Sequence, residues 1–213
     1  MVRVVQRSWC IALALLLLAA PVFARGSAVD GTMLWGMNLG PSFATGDIGD
    51  VADLGVGFET VFGVHIIEGF GVRIDGGYSV YEGSDSDFDY TTTAGYLTVD
   101  AYYDFSRNQG FVHPYILGGF GFISTELEAD VVLYDPYWGW FEYTYSDSVT
   151  NLCLTAGGGA WFGPFGRNFI LRTEVVYRNA VGGLALDYFD EYEGTDDATA
   201  GYVTAGIGIA WQF

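Results

Sequence analysis

The chain contains no lysine, and all eight of its basic residues are arginines. Against them stand 26 acidic residues, so the formal net charge is −18 at pH 7. A nucleic-acid-binding protein needs a basic surface that neutralises phosphates, so this charge argues against nucleic acid as a partner. Proline is also scarce, with five residues, whereas 31 glycines and many aromatic residues give a composition typical of β-proteins.

Only one long apolar run is present, Ile11–Ala20, and it is too short for a membrane-spanning helix. It follows a short basic segment and precedes small residues at the positions that a signal peptidase recognises. We therefore predict that residues 1–24 are a cleaved secretory signal and that residues 25–213 form one domain. One of the two cysteines would leave with the signal, which leaves Cys153 without a partner for an internal disulfide.

After the signal, no apolar stretch is long enough to cross a membrane as a helix, so the exported chain would either dissolve or enter a membrane as strands. The last strand favours the membrane. It alternates up to the C-terminus, with an apolar face that ends in Trp211 and Phe213 and an opposite face of small and polar residues. A terminal aromatic residue on the apolar face suits a strand between lipid and a narrow lumen.

Seven further segments alternate in the same way, which gives eight strands. Their ionisable residues share the face that carries most of the glycines, and the opposite face is almost free of charge. A soluble lipocalin-like barrel or β-sandwich would show the reverse polarity. We predict an all-β fold, an eight-stranded antiparallel up-and-down transmembrane β-barrel. Leu117 departs from the pattern, because it falls on the inward face of the fifth strand.

Long and short connections between these strands alternate. The long ones cover about 42–53, 82–95, 124–148 and 180–199, and the short ones about 66–70, 106–110 and 163–168. Outer-membrane barrels have short periplasmic turns and longer extracellular loops. The pattern therefore predicts that the long connections are extracellular and that Phe213 lies at the periplasmic rim.

Several short segments carry a resemblance to a known family. They are Val22-Phe23-Ala24, Pro114-Tyr115 with Gly118-Gly119-Phe120-Gly121, Arg172-Thr173-Glu174-Val175-Val176-Tyr177, and the strand that ends in Phe213. In these segments the chain resembles the outer-membrane β-barrel domain family, the small eight-stranded barrels typified by the OmpA and OmpX proteins. The resemblance covers essentially all of 25–213. It implies insertion by the outer-membrane assembly machinery, with Phe213 as part of the signal, and it carries over no catalytic residues.

The inward charges form the first candidate site. They are Glu59, Arg73, Asp75, Asp100, Asp104, Arg172, Glu174 and Arg178. An eight-stranded barrel is only just wide enough for side chains to fill it. Since an unpaired buried charge is costly, we expect these residues to pair in a network that plugs the lumen. The alternative is a narrow path for ions or small solutes.

The second candidate site is an aromatic cluster in segment 124–148. Its members are Tyr134, Tyr137, Trp138, Trp140, Phe141, Tyr143 and Tyr145. Asp135-Pro136 and Gly139 indicate a turn at its tip. One interpretation is a hairpin that extends strands five and six, with its aromatic residues at the outer membrane interface. The other is a contact surface for an extracellular protein or glycan.

Enzymatic and metal sites find little support. Barrel enzymes use a His beside a Ser or an acid near the rim, but His65 and His113 lie near predicted periplasmic turns and are interpreted as turn residues. Segment 85–89 begins like a calcium loop, yet Tyr90 and Tyr96 replace the glycine and the glutamate that such a loop requires. We expect no catalytic residue, cofactor or metal site. Weak binding of divalent cations by the acidic loops, as a bridge to lipopolysaccharide phosphates, is left as an alternative.

Together these observations predict a monomeric, non-enzymatic barrel in the outer membrane of a diderm bacterium, with a structural or surface-interaction role. Its expected partners are outer-membrane lipid and lipopolysaccharide, the assembly machinery during insertion, and an extracellular protein or glycan. The alternatives are the narrow channel and, less favoured, a lipid-modifying enzyme at the rim.

Overall fold

Within the described residues, eight antiparallel strands form one closed barrel. The computed structural model describes residues 32–50, 54–67, 69–85, 88–106, 111–135, 137, 139–165, 168–182 and 199–213. The strands are β1 (Met33–Gly46), β2 (Leu54–Ile67), β3 (Phe70–Asp85), β4 (Phe88–Asp104), β5 (Val112–Asp135), β6 (Gly139–Phe165), β7 (Phe169–Val181) and β8 (Ala200–Gln212). Each strand pairs with its neighbours in sequence, and β1 pairs with β8. The predicted up-and-down barrel is confirmed, and the predicted signal, 1–24, lies outside the described residues.

Side chains alternate between the lumen and the outer surface along each strand, because successive residues of a pleated strand point to opposite faces. In β2, for example, Leu54, Val56 and Phe58 are exposed, whereas Glu59 is buried in the lumen. Leu117 also points inward, where it is buried in an apolar cluster. Its departure from the simple pattern therefore reflects apolar packing in the lumen and not a shift in register.

The outer surface is apolar around the whole barrel. Large exposed apolar side chains, one from each strand, are Leu39, Val56, Ile74, Val99, Phe120, Leu154, Val175 and Ile207. A soluble monomer rarely exposes such a continuous apolar surface. This surface is the lipid-facing belt of a transmembrane barrel. Among the described residues, no helix is long and apolar enough to cross a membrane.

The two ends of the barrel differ in the reach of their hairpins. At the end that we name the long-hairpin end, β3 and β4 pair as far as Asp85 and Phe88, and β5 and β6 as far as Asp135 and Gly139. At the other, the short-turn end, the connections β2–β3, β4–β5 and β6–β7 follow shorter strand extensions. The predicted connections 82–95 and 124–148 were therefore wrong, since both segments are largely strand.

The error has a physical cause. Strands were recognised by an apolar outward face, and that face becomes polar where a strand leaves the lipid belt. Glu82, Ser124 and Ser146, for example, are exposed residues of these extensions. Backbone pairing continues beyond the belt nevertheless, because the ladder needs only N–H and C=O groups.

A short 3₁₀ turn, Asp47–Asp50, follows β1 at the long-hairpin end. The backbone N–H of Thr199 donates to Asp47 Oδ2 at 2.6 Å, and the Thr199 hydroxyl donates to the same oxygen at 3.1 Å. These hydrogen bonds hold the pKa of Asp47 below its ordinary value. The contact ties β1 to the start of β8 at neutral pH, and it weakens only as the pH falls through that lowered value.

The barrel closes where β1 meets β8. Met33 N–H donates to the Phe213 carbonyl at 3.1 Å, and Phe213 N–H donates to the Met33 carbonyl at 2.9 Å. Next to this pair, the rings of Trp35 and Trp211 stack with centroids 5.1 Å apart. The last residue of the chain thus completes the seam at the short-turn end.

Deleting Phe213 should lower the fraction of protein that folds in outer membranes, because the deletion removes both backbone hydrogen bonds at the end of the seam. Phe213→Ala retains those bonds and loses only the ring, so it should have the smaller effect. The folded fraction is measured as heat-modifiable protein on gels of unheated membranes. Unchanged levels after the deletion would contradict this role of the terminus.

Candidate functional site

The lumen is filled by three layers of side chains. Nearest the long-hairpin end lies a mainly apolar cluster that includes Ile48, Tyr81, Ile123 and Tyr202. Nearest the short-turn end lies an aromatic and aliphatic cluster. Its members are Leu34, Tyr102, Tyr115, Leu117, Trp161, Ile170, Val176 and Ala210. Between the two clusters lies a layer of charged side chains.

Arg73, on β3, begins the charged layer. One of its nitrogens lies 2.6 Å from Asp75 Oδ2, and another lies 2.5 Å from Glu174 Oε2 on β7. All three side chains are fully buried or nearly so. In a barrel of eight strands β3 and β7 stand on opposite walls, so this arginine links the two walls across the lumen.

Two further arginines, both on β7, continue the charged layer. Arg172 Nη2 lies 2.5 Å from Glu174 Oε1 and 3.0 Å from Glu59 Oε1, and Arg178 Nη2 lies 2.5 Å from Glu59 Oε2. Together with the two ion pairs of Arg73, these contacts connect six residues whose charges alternate in sign. We name this chain the ion-pair chain. In order, it is Asp75, Arg73, Glu174, Arg172, Glu59 and Arg178.

Phenol groups add further contacts to the ion-pair chain. The Tyr115 hydroxyl donates to Glu174 at 2.5 Å, and the Tyr96 hydroxyl donates to Glu59 at 3.1 Å. The guanidinium of Arg178 lies over the ring of Tyr96, 3.7 Å from its centroid, which is a cation–π contact. The alternation of β4 and β5 puts both tyrosines on the inward face, but it does not reveal their part in the charged layer.

Glycine makes room for these long side chains. Glu59 lies opposite Gly77 in the β2–β3 register, and a Cβ at Gly77 would overlap the hydroxyl group of Tyr96. Glu174 lies opposite Gly159 on one side and Gly206 on the other. The large number of inward glycines and the long buried side chains are therefore two parts of one packing arrangement.

Two of the predicted lumen residues do not join the ion-pair chain. Asp100 is fully buried and lies opposite Arg73 in the register, but it accepts a hydrogen bond from the Thr98 hydroxyl at 2.9 Å instead. Asp104 lies at the end of β4, at the short-turn end of the barrel. The structure thus brings together six of the eight inward charges named from the sequence.

A cavity of about 10 Å³ lies beside the ion-pair chain. It is lined in part by Asn38, Glu59, Glu174 and Thr204. A volume of this size holds about one water molecule. In the part of the chain that the structure describes, the cavity therefore does not amount to a path through the lumen.

Asp104, Ser106 and His113 meet at the short-turn end. The Ser106 hydroxyl lies 2.6 Å from His113 Nδ1, and Asp104 Oδ2 lies 3.1 Å from the same nitrogen. A catalytic triad instead places the serine at one ring nitrogen and the carboxylate at the other. Ser106 also bonds Asp104 Oδ1 through its backbone N–H at 2.8 Å and its hydroxyl at 2.6 Å. The arrangement is that of a hydrogen-bonded turn.

The interpretation of His65 as a turn residue was wrong. It belongs to β2, is 6% exposed, and contacts the rings of Tyr102 and Trp161 edge-on, with centroids 5.2 and 5.5 Å away. His65 lies near the end of β2, and its side chain points inward, where the aromatic cluster buries it. A local sequence pattern does not reveal this burial, because Tyr102 and Trp161 belong to other strands. Among the described residues, no group of three or more His, Cys, Asp or Glu side chains is arranged to hold a metal ion.

The hairpin β5–β6 rises above its neighbours. Pairing of β4 with β5 ends at Asp89 and Asp130, and pairing of β6 with β7 begins at Leu152 and Val181. Within the described residues, 131–135 and 139–143 therefore pair only with each other. We name residues 131–143 the raised hairpin. Gly139 at its tip has a φ of 80°, a turn conformation that glycine adopts without strain.

The predicted aromatic contact residues belong to the raised hairpin, except for Tyr145, which lies on β6 opposite Ala129. Tyr137 at the tip is 92% exposed. Tyr134, Trp140, Phe141 and Tyr143 lie on its two strands, and their side chains, like all of Trp138, fall outside the described part. The predicted extension of strands five and six is therefore what the backbone shows.

Comparisons with known proteins show which solved structures share this fold. No protein-family model and no curated protein matches the chain. Similar structures include three crystal structures, each of which is matched over its whole length by 87% of this chain. Ail, the attachment invasion locus protein of Yersinia pestis, in complex with the heparin analogue sucrose octasulfate, is 18% identical with a TM-score of 0.55.

The second of these structures, Neisserial surface protein A, is 15% identical with a TM-score of 0.55. The third, a major outer membrane protein from Thermus thermophilus, is 15% identical with a TM-score of 0.63. At such identities the similarity concerns the fold. The chain has the fold of the small eight-stranded outer-membrane barrels, as the resemblance of its sequence implied.

Arg172→Ala should destabilise the protein by about 3 kcal/mol, because it leaves Glu59 and Glu174 buried without a shared partner. Adding Glu174→Gln removes one charge of each sign, so the double variant should lose less than the sum of the two single variants. The free energy of unfolding is measured in urea with the protein refolded in lipid vesicles.

Thr173→Ala, a change at the neighbouring residue on the outward face, serves as the control and should alter this free energy by less than about 0.5 kcal/mol. Equal stability of the wild type and Arg172→Ala would show that Arg172 is solvated. That result would favour the channel interpretation.

Proposed function

We propose that the protein is a non-enzymatic outer-membrane barrel that contacts surfaces outside the cell through the raised hairpin. One observation carries this proposal. Among the described residues, 131–135 and 139–143 extend past the paired ends of both neighbouring strands, and their pairing with each other adds nothing to the closure of the barrel. A segment that the fold does not need for closure is free to serve in binding.

The orientation follows from the lengths of the hairpins. Outer-membrane barrels have their longer connections outside the cell and their short turns in the periplasm. Applied here, this rule places the long-hairpin end, with the raised hairpin, at the cell surface. Phe213 then lies at the periplasmic rim, as expected of a C-terminal signal for the assembly machinery.

Two observations argue against the alternatives. The ion-pair chain and the two clusters that flank it fill the lumen, which disfavours a channel. The contacts of Ser106 and Asp104 converge on one nitrogen of His113, which disfavours a rim enzyme with a triad. Outer-membrane lipid and lipopolysaccharide remain the partners of the belt, and the protein is proposed to act as a monomer after loss of residues 1–24.

The similarity to Ail suggests surface attachment but not the ligand. Sucrose octasulfate is a polyanion, and a site for it needs basic side chains. In this chain the segments 42–53, 82–95, 124–148 and 180–199, at the long-hairpin end, contain no Lys or Arg. We therefore do not propose a sulfated glycan as a partner of this protein.

Replacing residues 131–143 with an Asn-Gly turn should leave folding intact, because Asp130 and Thr144 already face each other and a two-residue turn can join them. Attachment of cells that display the shortened protein should fall compared with the wild type. Attachment is counted on several coated surfaces, and folding is checked by heat modifiability.

A second variant retains the hairpin and replaces Tyr137, Trp138, Trp140 and Phe141 with Ser, which tests the aromatic residues apart from the backbone. If the shortened protein fails to fold, the hairpin is structural. If it folds and attachment is unchanged on every surface, the contact function is wrong.

A further inference from the structure

The outer face of the barrel changes from apolar to polar along β4, β5 and β6. One row of the lipid belt across these strands consists of Leu97, Phe122 and Leu152, which are all exposed. The next row on the same face, toward the long-hairpin end, consists of Gly95, Ser124 and Thr150. Successive rows on one face are about 7 Å apart. The polar surface therefore begins directly beyond the belt, at the depth of lipid headgroups.

The second polar row is built around a carboxylate. Glu126 on β5 lies between Thr93 on β4 and Ser148 on β6 in the register. The side chain of Ser148 is exposed, and those of Glu126 and Thr93 are partly exposed. A carboxylate accepts strong hydrogen bonds from hydroxyl groups. This row therefore suits a partner that presents several hydroxyl groups.

Gly95 leaves a shallow depression in the first polar row. A Cβ at this position would meet no atom within 4 Å. In the register Gly95 lies between Ser124 and Tyr78, and the side chain of Tyr78 is 45% exposed. A tyrosine at a membrane boundary offers an apolar ring face and a polar tip. The depression beside it suits a ring that carries both C–H and hydroxyl groups, which is the character of a sugar.

Charge decides against a phosphate at this place. Segments 42–53, 82–95, 124–148 and 180–199 contain no Lys or Arg, and the three arginines of the ion-pair chain are buried in the lumen. A phosphate would bring a further negative charge beside Glu126 and Glu128 with no basic side chain to pair with it, and like charges placed together are unfavourable. A neutral sugar avoids this repulsion.

We propose that this face binds the sugar headgroup of a neutral glycolipid from the membrane around the barrel. We name the residues that would hold the headgroup the boundary surface, which consists of Tyr78, Thr93, Gly95, Ser124, Glu126 and Ser148. The sugar ring lies in the depression against the Tyr78 ring, and its hydroxyl groups donate to Glu126. The acyl chains of the same lipid run along Leu97 and Phe122.

Continuity with the lipid belt favours a lipid over a soluble glycan, because one lipid molecule covers both surfaces at once. The proposal rests on the proposed location in the outer membrane and adds the chemistry of the headgroup. It does not need the raised hairpin, since residues 131–143 lie further from the belt.

The test uses the folded full-length protein in phosphatidylcholine nanodiscs. The nanodiscs also contain equal small amounts of diglucosyl diacylglycerol and phosphatidylglycerol with the same acyl chains. Lipids that the protein retains are counted by native mass spectrometry. We expect the protein to retain one glycolipid molecule on the order of tenfold more often than phosphatidylglycerol, because a hydrogen bond to a charged group contributes a factor of about this size.

Variants locate the site. Glu126→Gln removes the charged acceptor, and Gly95→Val fills the depression without meeting another atom, so each should lower glycolipid retention about tenfold while the protein still folds. Tyr177→Leu is the control, whereas Tyr78→Leu removes the ring at the proposed site. Tyr177 is 41% exposed on β7, between Ala156 and Val203 in the register, and its replacement should change retention less than about twofold.

Four results would overturn the proposal. The first is equal retention of the two added lipids or a preference for phosphatidylglycerol. The second is unchanged glycolipid retention in Glu126→Gln and Gly95→Val. The third is binding of the free glucose disaccharide as tight as that of the glycolipid, which would mean a site for a soluble glycan. The fourth is loss of retention on addition of EDTA, which would mean that a divalent cation bridges the lipid to the carboxylates.

The proposed contact function and this inference fail separately. The shortened protein with an Asn-Gly turn in place of residues 131–143 retains the whole boundary surface, so it should still retain the glycolipid. Unchanged cell attachment of that variant would contradict the contact function alone. Loss of the glycolipid preference in the wild type would contradict this inference alone.

Discussion

A chain of alternating charges in the middle of the lumen is the constraint on which the rest of this structure depends. It runs from Asp75 through Arg73, Glu174, Arg172 and Glu59 to Arg178, and it holds three charges of each sign. Each charge is buried, so each needs an opposite partner at contact distance. The ion-pair chain links β2, β3 and β7, which are not all neighbours in the barrel. Its side chains occupy the space that the inward glycines leave.

A lumen filled in this way restricts where the protein can act. The layers above and below the ion-pair chain are packed with apolar and aromatic side chains, and the cavity beside it holds about one water molecule. What remains for function is the outside: the lipid belt, the seam at Phe213, and the hairpin that rises past its neighbours. Within the described residues, the raised hairpin is the longest extension beyond the paired barrel.

The strands, their inward faces and the charged layer could be predicted from the sequence, because alternation is a local property. The long-range partners of these charges could not. Three of the five links in the ion-pair chain join residues 101, 113 and 119 positions apart, and an arginine can pass over the residue opposite it. Arg73 faces Asp100 in the register but pairs with Asp75 and Glu174. The segments 82–95 and 124–148 were counted as connections because the outward face of each strand turns polar where it leaves the lipid belt, although a hairpin extending strands five and six was one interpretation of 124–148.

Ionic conductance is the most direct test of the central claim, that the ion-pair chain and its flanking clusters close the lumen. The measurement uses the folded protein inserted into planar lipid bilayers, with current recorded at high salt over a range of voltages. The account predicts no resolved current steps above those of the bare bilayer. Reproducible steps of one size, present with the protein and absent without it, would contradict the account and establish a continuous path through the barrel.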